Sequence, residues 1–326
     1  MSHVVRQTLG REAPKSKADR LKARKWKTVR VALTKDDFEK YFDFLNDAVV
    51  LRSSAEGVPL MTTTGIFGPI KPGTTVKLTY GVGTGVEEVP SSGQETTLID
   101  RLHHLQHNNT PDAKHANTIN ANWVSGKDGG GIPGLSSSSN VFGGTGSLFI
   151  NQSDVVIPVL DPSNDAYKDT LAFYGGVLLK PGEAFNVGFD LPLFGVEYDT
   201  SLPDYIRNYA MQPFSGGGMF VEHHEFPHIF HPRPDEGKEV YCEAKVTLGR
   251  KSVKFDPKNP QFTFTTFRVP ADGSAVAILP GTIHNDSFTN GKLSVFVADV
   301  IPDKVDTVAF RESAPYKNIR IEDAND

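Results

Sequence analysis

Residues 277–284 read AILPGTIH, an apolar run that ends in a Pro-Gly pair and is followed closely by a histidine. Pro-Gly is a strong turn dipeptide, so the run is typical of a short β-strand that stops at a tight turn. Two other stretches, FGPIKPGTTVKLTYG at 67–81 and GGVLLKPGEAFNVGF at 175–189, place Lys-Pro-Gly after an apolar strand end in the same way. This repetition fits two related β halves, although Pro-Gly is common enough to recur by chance.

Short β-type runs separated by Gly, Pro, Asn, Asp and Ser continue along most of the chain. They are GTTVKLTYGVG (73–83), GSLFINQSDVVIPVLD (146–161), AFYGGVLLKPG (172–182), KEVYCEAKVTLG (238–249), QFTFTTFRVPADG (261–273), SAVAILPGTIH (274–284) and GKLSVFVADVIPD (291–303). Strands at this spacing favour an all-β sandwich or barrel over βαβ units. Helical spacing of apolar residues predicts one clear helix at 34–52, and shorter helices are expected at 98–107 and 202–214.

Composition limits the class of protein. A chain of 326 residues with 38% hydrophobic residues is long enough for one large domain or two modest ones. No run approaches the about 18 apolar residues of a membrane span, and the N-terminus lacks the apolar core of a signal peptide. The single cysteine, Cys242, excludes an intrachain disulfide and cysteine-based zinc sites, and we expect a cytoplasmic protein.

Charge is distributed unevenly along the chain. Residues 1–30 carry ten Lys or Arg against Glu12 and Asp19, which leaves +8 there and −13 for the remainder of a chain of net charge −5. Such an arm can bind nucleic acid, but no nucleic-acid motif accompanies it. We therefore expect it to be a solvated segment or to pack on the acidic body, including that of a partner subunit.

The stretch VEHHEFPHIFHPRP at 221–234 concentrates the chemistry of the chain. It holds four of the ten histidines within nine residues: His223, His224, His228 and His231. In a strand, residues two apart share a face, so Glu222, His224, Phe226 and His228 would point together. Pro227 argues against a helix, and it can introduce a bulge that re-aims His228 or His231. Imidazoles with a nearby carboxylate suit Fe, Mn, Ni, Zn or Cu, so the stretch predicts a metal site, against the alternative of a polar loop without ligands.

The sequence from about 175 to 300 resembles the cupin superfamily. Its second motif is matched by Gly273, the strand AVAIL, Pro280-Gly281 and His284, and its first motif is matched in part by Gly217 or Gly218, the histidines and Glu239. The usual His-x-His pair is replaced by His224-x3-His228 or by His231-x-Arg233.

The resemblance implies a mainly β, jelly-roll barrel or sandwich that holds one divalent metal. It makes His284 the most secure ligand, followed by His224 and His228, with His231 and Glu239 as a competing pair. Glu222, His223 and Glu225 could orient the ligands. Arg233, or else Arg268 or Lys245, could fix an anionic group of the substrate. Candidates for the lining of an apolar pocket are Phe220, Phe226, Phe230, Tyr241, Phe264 and Phe296.

The predicted organisation has three parts. Residues 1–55 form the basic arm and a helix, residues 56–170 form a β-rich region, and residues 171–326 form the cupin-like metal domain. The middle region is either a degenerate second cupin half or an unrelated one, and it carries a Gly/Ser-rich loop at 125–147. A second histidine group at 101–115, with His103 and His107 on one helix face, is an alternative metal or interface site.

The function predicted from these residues is that of a mononuclear non-haem Fe(II) oxygenase acting on a small organic substrate together with O2. A cupin isomerase or lyase using Mn, Zn or Ni, with Cu also possible as the metal, is the alternative enzyme. A small-molecule-binding or structural jelly-roll protein is the alternative outside catalysis. We expect a homodimer, because edge strands and the basic arm offer subunit contacts, and no membrane or nucleic-acid partner.

Overall fold

A computed structural model describes the chain in segments that cover most of its β-rich body. These are residues 4–6, 27–28, 62–79, 85–93, 97–128, 145–150, 152, 154–190, 192–199, 220–234, 243–252, 256, 258–286, 288–298, 305–311 and 319–324. The described part of the chain is mainly β, as predicted. None of its helices is long and apolar enough to cross a membrane.

Twenty strands are found among these residues. In chain order they are β1 (Val4–Arg6), β2 (Lys27–Thr28), β3 (Thr62–Ile70), β4 (Thr75–Leu78), β5 (Val86–Glu88), β6 (Asn117–Val124), β7 (Thr145–Ile150), β8 (Val155–Leu160), β9 (Gly176–Leu179), β10 (Ala184–Asn186), β11 (Leu193–Asp199), β12 (Phe220–His224), β13 (His228–Arg233), β14 (Glu243–Lys251), β15 (Gln261–Pro270), β16 (Ala275–Ile278), β17 (Ile283–Asn285), β18 (Lys292–Ala298), β19 (Val305–Arg311) and β20 (Ile319–Asp323).

Helices are few and short in the described segments. Helix α1 (Leu98–Leu105) is capped by Thr97, whose side chain accepts a hydrogen bond from the Asp100 backbone N–H. Helix α2 (Lys168–Phe173) follows a 3₁₀ turn at Asp165–Tyr167, and a second 3₁₀ turn lies at Gly126–Asp128.

The strands form two large sheets and one small one. The first large sheet has the order β2-β1-β3-β11-β18-β13-β16-β9, and the small sheet has the order β10-β4-β5. The second large sheet has the order β14-β17-β12-β19-β7-β6-β15-β8-β20. Because β14 also pairs with β15, seven strands of this sheet, β14-β17-β12-β19-β7-β6-β15, pair in a closed circuit. The sheet is therefore strongly curled.

Two apolar cores follow from this arrangement. The larger core lies between the two large sheets and takes side chains such as Phe230, Leu248 and Phe296. The smaller core lies inside the curled sheet and takes alternate residues of its strands, including Val221, Phe264 and Val308. Since side chains of a strand alternate between faces, β12 and β17 present one face to each core.

The three Pro-Gly pairs all form turns of one kind. The glycines have positive φ, 78° at Gly73, 72° at Gly182 and 78° at Gly281, a conformation that glycine adopts without strain. In each turn the residue after glycine donates its N–H to the carbonyl three residues before it, over 3.0–3.2 Å. The strands that follow the two Lys-Pro-Gly turns, β4 and β10, pair antiparallel with Val76 opposite Phe185. Val76 and Phe185 stand at equivalent positions of the two repeats, so the pairing is symmetric about them.

Each predicted β run contains at least one strand, but strands β5, β6, β11, β19 and β20 lie outside the predicted runs. Some bounds also differ. The start of the run at 172–182 belongs to α2 and only 176–179 is strand. The helix predicted at 98–107 ends at Leu105. Strand β7 begins at Thr145, inside the predicted loop, of which 129–144 lies outside the described residues.

Some expectations fall on residues that are not described. The predicted helices at 34–52 and 202–214 lie there, as do Glu239, Tyr241 and Cys242. Within the basic arm the described residues form two short strands, β1 and β2, and β1 pairs with β3 of the first large sheet.

Candidate metal centre

Three buried histidines meet where the two large sheets face each other. His224 ends β12 and His284 lies in β17, both in the curled sheet, whereas His228 begins β13 in the other large sheet. The chain bends between β12 and β13 at residues 225–227, so Pro227 stands at the corner where the backbone passes from one sheet to the other. This corner, rather than a continuous strand, brings His228 back toward His224.

Ring nitrogens of the three histidines converge on one point. His224 Nε2 lies 3.2 Å from His228 Nδ1, which lies 3.1 Å from His284 Nε2. The three nitrogens form a group that could hold a metal ion. With metal–nitrogen bonds of about 2.0–2.1 Å, neighbouring ligands are about 3.3 Å apart in a tetrahedral site and about 2.9 Å apart in an octahedral one. The two separations from His228 Nδ1 fall between these values, and all three ligand atoms lie within 4.8 Å of one another.

The backbone fixes the tautomers of two of these rings. His224 Nδ1 donates to the Phe226 carbonyl over 2.9 Å, and His284 Nδ1 donates to the Thr282 carbonyl over 2.8 Å. A carbonyl cannot donate, so each Nδ1 carries the proton and each Nε2 presents a lone pair. Metal-ligating histidines characteristically donate their second N–H to a carbonyl in this way.

His228 cannot satisfy both neighbours by hydrogen bonding alone. A protonated Nδ1 could donate to only one of the two facing Nε2 atoms, and its own Nε2 is buried without a hydrogen-bond partner. If Nδ1 is unprotonated, three lone pairs face one another. A cation at their centre removes this conflict, so the donor set fits a metal ion.

Burial keeps the three rings neutral. Burial is the largest cause of the lowered pKa of each ring. The pKa values of His224 and His228 lie well below their usual range, and the pKa of His284 is lowered to about 4. The positive charge that the neighbouring histidines would carry lowers the pKa of His224 and His228 further. Metal binding requires neutral imidazole, so the site is in its ligating form at neutral pH before any ion arrives.

Glu222 lies beside the three nitrogens. It is opposite His284 in the β12–β17 pairing and shares a face of β12 with His224. Its Oε1 is 3.7 Å from His284 Nε2, and the residue is 7% exposed. A fourth donor of carboxylate type is therefore within a short side-chain movement of the cluster.

Aromatic rings and the Pro-Gly turn hold the site in place. Phe226 stacks on His224 with ring centroids 3.7 Å apart, and Phe230 stacks on His228 at 4.1 Å. The Gly281 N–H donates to the His224 carbonyl over 2.7 Å, so the turn that carries His284 is tied directly to the strand end that carries His224. Few rotations of the ligand rings remain available.

The structure does not bring His231 and Arg233 to the cluster. Both point away from His228, to the opposite face of β13. His231 Nδ1 donates to the Ser274 carbonyl over 3.0 Å, and Arg233 Nη1 lies 2.9 Å from the Thr79 carbonyl and 3.1 Å from His231 Nε2. The two residues form a separate buried polar pair beside the end of β4.

Other residues singled out from the sequence lie elsewhere. Arg268 and Lys245 form ion pairs with Glu243 at the surface. Glu225 is exposed at the corner, and His223 faces the opposite side of β12 from His224. Among the predicted pocket-lining aromatics that the structure describes, Phe226 and Phe230 contact the rings of the three histidines, and Phe264 belongs to the smaller core.

The histidine group at 101–115 does not form the predicted metal site. His103 lies in α1, but the helix ends at Leu105 and His107 lies beyond its C-cap residue, Gln106. His115 packs edge-on against Tyr167 with ring centroids 5.0 Å apart. Within the described residues the only metal-compatible histidine group is that of His224, His228 and His284.

One arrangement was missed from the sequence. Trp123 Nε1 donates to Asp306 Oδ2 over 2.8 Å, and His223 Nε2 is 3.9 Å from the same oxygen. Trp123 and Asp306 are 183 residues apart, and no local pattern links them.

No family model, curated protein or solved structure matches the chain.

Proposed function

We propose that the protein is a mononuclear non-haem metalloenzyme, an Fe(II)-dependent oxygenase that acts on a small organic substrate. The observation that carries the proposal is the convergence of three neutral histidine nitrogens within 3.1–3.2 Å of their neighbours, with the tautomers of two rings fixed by backbone carbonyls. Nitrogen and carboxylate donors that leave coordination positions open are the sets used by non-haem Fe(II) oxygenases.

The residues around the cluster suit such an enzyme. His224 Nε2, His228 Nδ1 and His284 Nε2 would hold the ion, and Glu222 would either complete the ligand set or accept a proton beside it. Phe226 and Phe230 exclude water from one side of the site and strengthen its electrostatic interactions. When bound, the ion supplies one-electron chemistry toward O2 and Lewis acidity toward the substrate.

A second candidate function is favoured by the depth of the site. His224, His228 and His284 are 3%, 5% and 1% exposed, respectively. Structural zinc sites are closed, four-coordinate and remote from solvent, and Glu222 could supply the fourth ligand. In this alternative the metal links the two sheets and takes no part in catalysis.

Metal content and an open coordination position distinguish the two candidates. Protein purified without a histidine tag and loaded anaerobically with Fe(II) should retain one ion per chain, measured by elemental analysis. Nitric oxide, a spectroscopic substitute for O2, should then give the electron paramagnetic resonance signal of high-spin iron–nitrosyl. Retention of zinc with no nitrosyl signal after iron loading would favour the structural site. Failure to retain any of Fe, Mn, Ni, Zn or Cu would exclude both functions.

Glu222→Gln tests the part played by the carboxylate. The substitution keeps the size of the side chain but removes its charge. We expect the metal affinity to fall by about 10- to 100-fold, which is the usual effect of losing a residue that hydrogen-bonds to a metal ligand. Competition with a chromophoric chelator measures the change. Glu225→Gln, in the same stretch but exposed, is the matched control and should bind metal as the unmodified protein does. Equal affinities for the two variants would remove Glu222 from the site.

A further inference from the structure

A cleft of about 560 Å³ opens on the opposite side of β12 and β17 from the three histidines. His223, between Glu222 and His224, faces this cleft, as does Ile283, which precedes His284. The cleft lies at one end of the curled sheet, and six of the seven strands in the closed circuit each supply a residue to it: Trp123, His223, Gly249, Phe262, Ile283 and Asp306. Mouths of curled or closed sheets and volumes of 300–1,000 Å³ are typical of small-molecule sites.

Aromatic rings form one wall of the cleft. The Trp123 ring lies 6.0 Å from that of Phe262 and 5.2 Å from that of His223, measured between centroids. Gly249 of β14 packs directly against the side chains of Phe264 and Ile283 on this side of the sheet. A Cβ there would lie 2.5 Å from Phe264 Cε1 and 2.9 Å from Ile283 Cγ2. The wall therefore suits a flat apolar ring of modest size.

Charges of both signs stand around the same cleft. The hydrogen bond from Trp123 Nε1 to Asp306 Oδ2 positions the Asp306 carboxylate. The other lone pairs of the carboxylate can accept from a further donor. Arg250 and Lys251 supply positive charge, and Arg250 is fixed by donating to the carbonyls of His107 and Phe173 over 2.7 and 2.6 Å. Neutral carbonyls position the guanidinium without cancelling its charge.

We propose that this cleft is a binding site for a free aromatic amino acid. The ring of the ligand would pack against Trp123 and Phe262, its ammonium group would face Asp306, and its carboxylate would face Arg250 and Lys251. A ligand with a ring, a positive group and a negative group matches all three features of the cleft. This site lies apart from the metal centre and does not depend on the function proposed for it.

Binding of L-phenylalanine tests the proposal directly. In a Trp26→Phe background Trp123 is the only tryptophan, so its fluorescence reports occupancy of the cleft. We expect saturable binding with a Kd below about 1 mM, and weaker binding by about tenfold for phenethylamine, which lacks the carboxylate, and for 3-phenylpropionate, which lacks the ammonium group. Absence of binding, or equal binding of all three compounds, would overturn the assignment.

Point variants test whether L-phenylalanine binding depends on the residues of this cleft. Lys251→Gln and Asp306→Asn should each weaken L-phenylalanine about tenfold in calorimetry. Lys258→Gln, an exposed lysine outside the cleft, should leave the affinity unchanged. Removal of the metal ion with a chelator should also leave it unchanged, because the three histidines face the other core. Loss of L-phenylalanine binding in the metal-free protein would place the ligand at the metal centre instead and contradict the proposal.

Discussion

Replacing His284 with alanine should lower the affinity for a divalent metal by roughly a hundred- to a thousandfold. Binding free energies of about 10–16 kcal/mol, divided over four ligands, give about 2.5–4 kcal/mol for each. His284 supplies one of the three converging nitrogens, and its Nδ1 proton is already committed to the Thr282 carbonyl. The remaining two histidines belong to different sheets and, with Glu222, would supply at most three of the four ligands. Chelator competition with Zn(II) and Fe(II) measures the loss.

Two control variants make this result specific. His103→Ala removes an exposed histidine of α1 and should not change metal affinity. His231→Ala removes a buried histidine of the same stretch, which hydrogen-bonds to the Ser274 carbonyl outside the cluster. It should cost stability, measured by urea denaturation, without the large loss of metal affinity. If His231→Ala lost metal as His284→Ala does while remaining folded, the ligand set would have to include His231.

Acidification should destabilise the metal-free protein well before its carboxylates are protonated. Burial lowers the pKa of His231 to about 4, and the positive charge of Arg233 lowers it in the same direction. In the unfolded chain this histidine has a pKa of about 6.5. Between these two values the unfolded chain binds a proton that the folded chain does not, so the free energy of unfolding falls as the pH falls. For this residue the loss is about 3 kcal/mol, complete near pH 4 and absent above about pH 6.5.

His231→Gln isolates this contribution. Glutamine does not titrate, so the slope of unfolding free energy against pH between 6.5 and 4 should flatten by up to about 1.4 kcal/mol per pH unit. Urea denaturation at several pH values measures the slope. The variant should retain some pH dependence, because burial also lowers the pKa of His224, His228 and His284. His103→Gln is the control, and a slope in His231→Gln equal to that of the unmodified protein would contradict the explanation.

The local features of the fold could be predicted from the sequence because they depend on neighbouring residues. Apolar runs bounded by turn residues located strands such as β9, β15 and β18, and each Pro-Gly pair formed the expected turn, whereas β6, β11 and β19 lay outside the predicted runs. The start of α2 at 168–173 was missed because its apolar residues run directly into β9, where a helix and a strand look alike. The circuit of seven strands depends on pairings such as β12 with β17, about sixty residues apart, which no local pattern specifies.

The candidate site was predicted only in part for the same reason. His224, His228 and His284 were the three favoured histidines, and the structure brings them together. The path that joins them was not foreseen, since His228 reaches the cluster by a change of sheet at Pro227 and not by sharing a strand face with His224. That change also turns His231 and Arg233 away. Side chains alternate between the two faces of β13, and His228, its first residue, takes the face toward the cluster, so His231 and Arg233 take the other face. The closeness of Glu222 to His284 depends on the register of β12 against β17 and had to come from the structure.

The depth of the histidine cluster has a kinetic consequence. With each ring no more than 5% exposed, an ion reaches or leaves the three nitrogens only when packed chain moves aside. The corner at 225–227 and the Pro280-Gly281 turn are joined through the bond from the Gly281 N–H to the His224 carbonyl, so separation of these two walls requires that bond to break. The residence time of the metal is therefore set by how often this part of the protein opens. The rate at which a strong chelator removes the ion would be limited by this opening, whatever the affinity of the chelator for the ion.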